Sequence, residues 1–95
     1  MAAYVVVDIE VLEPVEYEEY KTLAAPSVTA YGGRYVVRGG ATEVLEGDWT
    51  PNRLVVLEFP TVAQAQAWWA SPEYSVAKAI RQRTARTDMV LTAGM

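Results

Sequence analysis

The sequence has no histidine and no cysteine among its 95 residues. These two residues supply most protein ligands of zinc, haem and copper, together with the commonest catalytic base and a frequent nucleophile. Sites of those kinds are therefore excluded. No Asp-x-Asp or similar cluster indicates a metal site built from oxygen ligands alone, so we expect neither a metal nor a cofactor. Proton chemistry is left to carboxylates, arginine, lysine, tyrosine and hydroxyl groups.

Positive charge is also scarce, with eight lysines and arginines against twelve aspartates and glutamates and a net charge of -4. Such a surface repels phosphate backbones and anionic lipid, so we expect no nucleic-acid partner and no membrane partner. No apolar run approaches the roughly 20 residues that span a bilayer. The start Met-Ala-Ala-Tyr runs directly into a strand pattern without a signal segment, which favours the cytoplasm as the location.

Apolar residues, by contrast, are plentiful at 52% of the sequence, enough for one folded domain over residues 1–95. A chain of this length buries only a modest share of its surface when it folds alone. A partner subunit that covers a second apolar face would help it, so dimerisation is plausible already at this point.

The clearest strand is the run Arg34–Arg38, which lies between two Gly-Gly pairs. Two further strands are predicted at 4–10 and 53–59, both apolar on two faces, and a last one at 87–92. We expect the segment 41–45 to extend the second strand beyond a bulge, and 46–48 to form a turn.

Helices are predicted between these strands. One begins at Pro14, with a kink or a restart at Pro26. Another begins at the capping sequence that starts with Thr61, and a second helical segment follows the Ser71-Pro72 pair. The resulting order is β-α-β-β-α-β, an α+β chain.

Several motifs in this order resemble the domain-of-unknown-function family numbered 1330, and the resemblance covers nearly the whole chain. They are Gly33-Arg34-Tyr35, Arg38-Gly39-Gly40, Glu46-Gly47-Asp48-Trp49, Arg53, Glu58-Phe59-Pro60 and Ser71-Pro72-Glu73-Tyr74. The resemblance implies a ferredoxin-like unit with an antiparallel four-stranded sheet that pairs as a dimeric α/β barrel. It implies a homodimer, and its superfamily includes cofactor-independent monooxygenases, isomerases and haem-degrading enzymes. The absence of histidine departs from the haem-binding relatives.

In that fold one sheet face meets the helices and the other meets the partner subunit. Strand alternation places Asp8, Arg38 and Glu58 together on the partner face. In one interpretation Arg38 anchors an anionic or carbonyl-bearing ligand while Asp8 or Glu58 transfers a proton. In the other, the three charges form an ion pair network that fixes the dimer interface, and this second interpretation is favoured about two to one.

Aromatic residues supply the second candidate site. Tyr20 and Tyr74 could line a ligand cleft between helices and sheet, although aromatic residues at helical spacing are more often core. Trp49, in a polar loop, indicates a dimer contact or a lid, with the dimer contact preferred. Of the adjacent Trp68 and Trp69 only one can face the core, and the other should lie at a pocket edge or against a partner.

Glu73 and Arg81 are predicted to be charges of the surface or of an interface. Two functions therefore remain open. One is a small cofactor-independent enzyme, isomerase-like or monooxygenase-like, that acts on a carbonyl or carboxylate metabolite. The other is a non-catalytic dimer that binds a small molecule or serves a structural purpose.

Overall fold

A computed structural model describes all 95 residues of the chain. Its elements are the strands β1 (Ala3–Val11), β2 (Arg34–Arg38), β3 (Arg53–Phe59) and β4 (Ala85–Ala93), and the helices α1 (Pro14–Ala30), α2 (Val62–Trp69) and α3 (Pro72–Thr84). The order is β-α-β-β-α-α-β, because the second helical region is two helices that meet at Ala70 and Ser71. The α+β class and the ferredoxin-like order predicted from the sequence are confirmed.

The four strands form one antiparallel sheet in the order β2-β3-β1-β4. The helices cover one face of this sheet, which we call the helix face. The opposite face carries no element of the chain, and we call it the open face. None of the three helices combines the length and the apolar character that crossing a membrane requires.

The core lies between the helix face and the helices, and Trp68 is at its centre. The Trp68 ring lies 4.2 Å from that of Tyr74 and 5.4 Å from that of Phe59, measured between centroids. Its indole nitrogen donates a hydrogen bond to the Ser27 hydroxyl at 3.1 Å, which satisfies the one polar group of a fully buried side chain. Alternate residues of the strands complete this core: Ala3, Val5, Val7, Ile9, Val55, Leu57 and Phe59.

The predicted helix starts are confirmed at Thr61 and Ser71, whose hydroxyls accept hydrogen bonds from the backbone N–H groups of Gln64 and Tyr74, each at 3.1 Å. The restart expected at Pro26 is wrong, since α1 continues through it as one helix. Pro26 and the residue four before it, Thr22, are both exposed, so water can reach the carbonyl that proline leaves unpaired.

The extension of β2 over 41–45 is also wrong. Strand β2 ends at Arg38, where Gly39 adopts a φ of 72°, and residues 40–52 form an exposed loop until β3 begins. Only the bend at 46–48 agrees with the sequence prediction, with Gly47 at a φ of 88°. The chain leaves the sheet at Gly39 because a positive φ cannot continue an extended strand.

Candidate functional site

A bulge in β2 decides which charged residues share a face. Tyr35 pairs with Leu57, but the next paired residue is Val37, opposite Val56, so Val36 is an extra residue in the ladder. The extra residue reverses the alternation from that point onward. Arg38 consequently lies opposite the buried Val55, on the helix face, and the predicted placement of Arg38 with Asp8 and Glu58 is wrong.

The same bulge produces a row of valines on the open face. Val37, Val56, Val6 and Val90 follow one another across β2, β3, β1 and β4. Val90 is 61% exposed and Val37 is exposed as well. Val6 and Val56, between them, are half-buried. The row therefore crosses the entire sheet as an apolar strip that no helix or strand of the chain covers.

Glu58 lies on the open face beside this row, held by two donors. The Tyr4 hydroxyl donates to Glu58 Oε2 at 2.8 Å, and Arg34 Nε donates to Glu58 Oε1 at 2.7 Å. The hydrogen bond from Tyr4, followed by that from Arg34, lowers the pKa of the Glu58 carboxyl. Glu58 is thus stabilised as a carboxylate, and each of its oxygens accepts a hydrogen bond. The cation that pairs with it is Arg34 and not Arg38.

Asp8 lies on the other side of the valine row and binds the loop. The Trp49 indole nitrogen donates to Asp8 Oδ2 at 2.9 Å, and the backbone N–H of Asn52 donates to Oδ1 at 2.9 Å. The hydrogen bond from Trp49 is the largest cause that lowers the pKa of Asp8. Asp8 pairs with Leu54, four residues before Glu58 on β3, about 13 Å along the strand. The two carboxylates therefore form separate networks.

The aromatic residues predicted at a cleft lie inside the core instead. The Tyr20 and Tyr74 hydroxyls are 3.0 Å apart, and Arg81 Nε donates to the Tyr74 hydroxyl at 3.1 Å. Burial is the largest cause that raises the pKa of Tyr20 far above its ordinary value near 10. Arg81 is only 5% exposed, so its predicted surface position is wrong, whereas Glu73 is exposed and accepts a hydrogen bond from Tyr31.

Trp69 occupies the pocket edge that the sequence predicted for one of the two adjacent tryptophans. It is 46% exposed and lines a groove of about 470 Å³ between α2, α3 and the helix face. The Lys78 ammonium lies 3.8 Å from the centre of the Trp69 ring and donates to the Trp69 carbonyl at 3.0 Å. The residues that line the groove are Val5, Ala65, Gln66, Trp68, Trp69, Arg81, Gln82, Thr87, Met89 and Leu91.

Four of the eight cations have a carboxylate within 4.0 Å: Lys21, Arg34, Arg83 and Arg86. The other four are Arg38, Arg53, Lys78 and Arg81. Arg38 and Arg53 lie on the helix face at a second, much smaller cavity of about 20 Å³, where the Arg38 guanidinium is 4.2 Å from the centre of the Tyr35 ring. Arg53 Nε is buried there without a hydrogen-bond partner. A cavity of this size holds about one water molecule.

Sequence reasoning missed Arg53, Arg81 and Thr87. A signal for Arg81 exists, because it follows Tyr74 by seven residues, about two helical turns, and therefore lies on the same side of α3 as Tyr74. Thr87 lies on β4 opposite Ile9, and its buried hydroxyl has no hydrogen-bond partner. No sequence pattern distinguishes such a hydroxyl from the other threonines.

Comparison with solved structures finds the same fold in proteins of low sequence identity. A protein of unknown function from Rhodopseudomonas palustris is 18% identical, with a TM-score of 0.79 over 99% of this chain and 82% of that chain. SnoaB, a cofactor-independent oxygenase from Streptomyces nogalater, is 14% identical, with a TM-score of 0.70 over 99% and 93%.

A dimeric ferredoxin-like protein of unknown function from Jannaschia sp. is 16% identical, with a TM-score of 0.68 over 99% of this chain and all of that chain. At these identities the likeness shows the fold alone. Comparison with curated protein sequences finds no match. The model of one family matches residues 2–95, and the chain accordingly belongs to the domain-of-unknown-function family DUF1330.

Proposed function

We propose that this protein is a homodimer in which each subunit binds a small molecule in the groove beside Trp69. The observation that carries the proposal is the groove itself. Its volume of about 470 Å³ falls within the range of metabolite sites, about 300 to 1,000 Å³. Most of its lining is apolar, and a few polar groups converge on it, as is typical of such sites.

The open face supports the dimer. Its valine row is an apolar strip that no helix or strand covers, and the exposed Leu45 and Trp49 belong to the loop that Asp8 holds. A second copy of the chain presents the same strip, so two open faces can cover each other about a two-fold axis. The dimeric description of the Jannaschia protein, which has this fold, agrees with that arrangement.

For Asp8 and Glu58 we propose structural roles in place of acid–base catalysis. Each carboxylate already accepts two hydrogen bonds, and both pKa values are lowered, Glu58 chiefly by Tyr4 and Asp8 chiefly by Trp49. A general acid near neutral pH needs a raised pKa instead. Arg38 is proposed as a cation of the small cavity, and Trp49 as a loop anchor near the dimer interface.

Catalysis without a cofactor is the alternative, and likeness of fold to an oxygenase is a weak warrant for it. An enzyme of that kind would hold its substrate on the helix side, where the tyrosine hydroxyls and unpaired guanidinium groups lie. The binding experiment described below locates that substrate as well.

The dimer is tested with two valines of nearly equal exposure. Val90 lies in the valine row and is 61% exposed, whereas Val76 lies on α3 and is 62% exposed. We expect Val90→Glu to give monomers in sedimentation experiments and Val76→Glu to remain dimeric. A Val90→Glu protein that stays dimeric would show that the open face is not the interface.

Ligand binding is tested by screening small aromatic and aliphatic acids and amides against ¹⁵N-labelled protein. We expect the amide shifts that move to cluster at the groove, and Trp69→Ala to weaken binding at least five-fold. Trp49→Ala, which removes the other exposed indole, should leave the affinity unchanged. Shifts confined to the open face, or no binding from the whole panel, would contradict the proposed site.

A further inference from the structure

Arg81 is a buried cation without a counter-ion. Its side chain is 5% exposed and takes part in none of the salt bridges of the chain. A guanidinium removed from water costs free energy unless charges and hydrogen bonds replace the lost hydration. The chain carries twelve acidic residues, yet none is placed beside Arg81. The one hydrogen bond of its side chain is donated by Nε to the Tyr74 hydroxyl.

That hydrogen bond fixes the orientation of the guanidinium. Tyr74 is fully buried, and its hydroxyl is shared with that of Tyr20 at 3.0 Å, so the acceptor of Arg81 is itself held in place. Nε is engaged in the core, while Arg81 also lines the groove. The two terminal nitrogens therefore remain as donors for an occupant of the groove. A planar fork of N–H donors of this kind matches a carboxylate.

The rest of the groove is uncharged and mainly apolar. Arg81 is its only charged lining residue, so the lining carries a single positive charge in a chain whose net charge is -4. One positive charge is matched by one negative charge, which favours a carboxylate over a phosphate dianion. The Lys78 ammonium covers one face of the Trp69 ring and is not part of the groove lining, so the other face is left for an apolar or aromatic body. Met89 and Leu91 extend that apolar surface on β4.

We propose that the groove binds a monoanionic carboxylate with an apolar or aromatic body, its carboxylate on Arg81 and its body against Trp69. This inference rests on the proposed function, since it names the class of ligand for the same groove. It assigns Tyr20 and Tyr74 the role of positioning residues, which hold Arg81 and do not touch the ligand.

Matched pairs of acid and amide test the proposal on the unmodified protein. Phenylacetate and phenylacetamide have the same ring and nearly the same shape but differ in charge, as do benzoate and benzamide. Each is titrated into ¹⁵N-labelled protein at low ionic strength while the amide signals of the groove are followed. We expect each acid to bind at least ten-fold more tightly than its amide, and the Arg81 Nε–H signal to shift with the acids.

Two variants locate the carboxylate. Arg81→Gln should abolish the preference for the acid, and Arg81→Lys should restore only part of it because an ammonium group cannot form the fork. Thermal melting establishes that each variant is folded, and Arg81→Lys carries the test if Arg81→Gln does not fold.

The outcomes separate this inference from the proposed function. If acids and amides shift the groove signals with equal affinity, the groove is a ligand site but carboxylate recognition is refuted. If the acids bind but shift the signals of Arg38 and Arg53 instead, the protein does bind carboxylates, but at another site. The assignment of the carboxylate to Arg81 then fails. If neither class shifts any groove signal, both the inference and the proposed function fail.

Discussion

Arg34 and Arg38 stand at the two ends of the same short strand and lie on opposite faces of the sheet. Arg34 pairs with Glu58 on the open face, at 2.7 Å, whereas Arg38 lies on the helix face beside the Tyr35 ring. Four residues apart, they would share a face in a regular strand. The extra residue Val36 therefore places the two arginines on opposite faces.

The titration of Glu58 should report this separation. Tyr4→Phe and Arg34→Ala should each raise the pKa of Glu58, with the larger rise for Tyr4→Phe, because the hydrogen bond from Tyr4 is the larger cause of the lowered value. Arg38→Ala should leave that pKa unchanged. The side-chain carboxyl ¹³C shift of Glu58, followed as a function of pH, measures all three. If Arg38→Ala raised the pKa of Glu58 as much as Arg34→Ala does, Arg38 would have to lie on the open face.

Acid stability follows from the same pKa. Because the pKa of Glu58 is lower in the folded chain than its ordinary value near 4.3, the hydrogen bonds of its carboxylate stabilise the fold at neutral pH. That contribution is lost as the pH falls through the lowered pKa. Denaturant unfolding between pH 7 and pH 2 should therefore show a smaller loss of stability for Glu58→Gln than for the unmodified chain, from a lower starting value. Equal losses in the two proteins would contradict the role of Glu58.

The loop at 40–52 should depend on Asp8. Asp8→Ala removes the acceptor of the hydrogen bonds from Trp49 and Asn52, so the loop should loosen. Cleavage by a glutamate-specific protease after Glu43 or Glu46 measures this, and we expect it to become several-fold faster. Asp88→Ala is the control, because Asp88 lies directly opposite Asp8 on the open face. Faster cleavage in both variants would show that the loss of a negative charge loosens the loop, and not the loss of the hydrogen bonds from Trp49 and Asn52.

Gly39 and Gly40 offer a pair of identical changes with different expected results. Gly39 has a φ of 72°, and an added Cβ would overlap the Arg53 guanidinium, whereas nothing lies within 4 Å of a Cβ on Gly40. Gly39→Ala should cost about 1–2 kcal/mol of unfolding free energy from backbone strain alone. Gly40→Ala should change stability by less than about 0.5 kcal/mol. Denaturant unfolding of both measures the difference, and equal effects would contradict the strain.

Alternation and capping predicted most of the fold because both depend on neighbours in sequence. Two examples were predicted correctly. They are the alternation of faces in β1 and β3 and the helix caps at Thr61 and Ser71. The bulge was predicted at the Gly39-Gly40 pair, but it lies at Val36, inside a run of two valines that carries no signal of irregularity.

The contacts that define the candidate sites are harder to predict from the sequence. Trp49 reaches Asp8 across 41 positions of the chain, which no local pattern encodes. Arg81 was predicted as a surface or interface charge, although its spacing from Tyr74 places it on the inner side of α3. The spacing alone does not show that the Tyr74 hydroxyl, itself bonded to that of Tyr20, accepts a hydrogen bond from Arg81.

Tyr20 should make the protein sensitive to alkali. Burial raises its pKa above the value near 10 that tyrosine has in the unfolded chain, so above that pH the unfolded chain has lost a proton that the folded chain keeps. Stability must then fall as the pH rises beyond about 10. Tyr20→Phe loses one buried hydrogen bond, about 1 kcal/mol near pH 7, but its stability should fall less steeply between pH 9 and pH 11.

The control for alkaline unfolding is Tyr31→Phe. The hydrogen bond from the Tyr31 hydroxyl to the exposed Glu73 raises the pKa of Tyr31, but by less than burial raises that of Tyr20. Tyr31→Phe should therefore retain more of the alkaline slope of the unmodified chain than Tyr20→Phe does. If Tyr20→Phe retained it equally, the pair of Tyr20 and Tyr74 would not be the buried, neutral support of Arg81 that carboxylate binding in the groove requires.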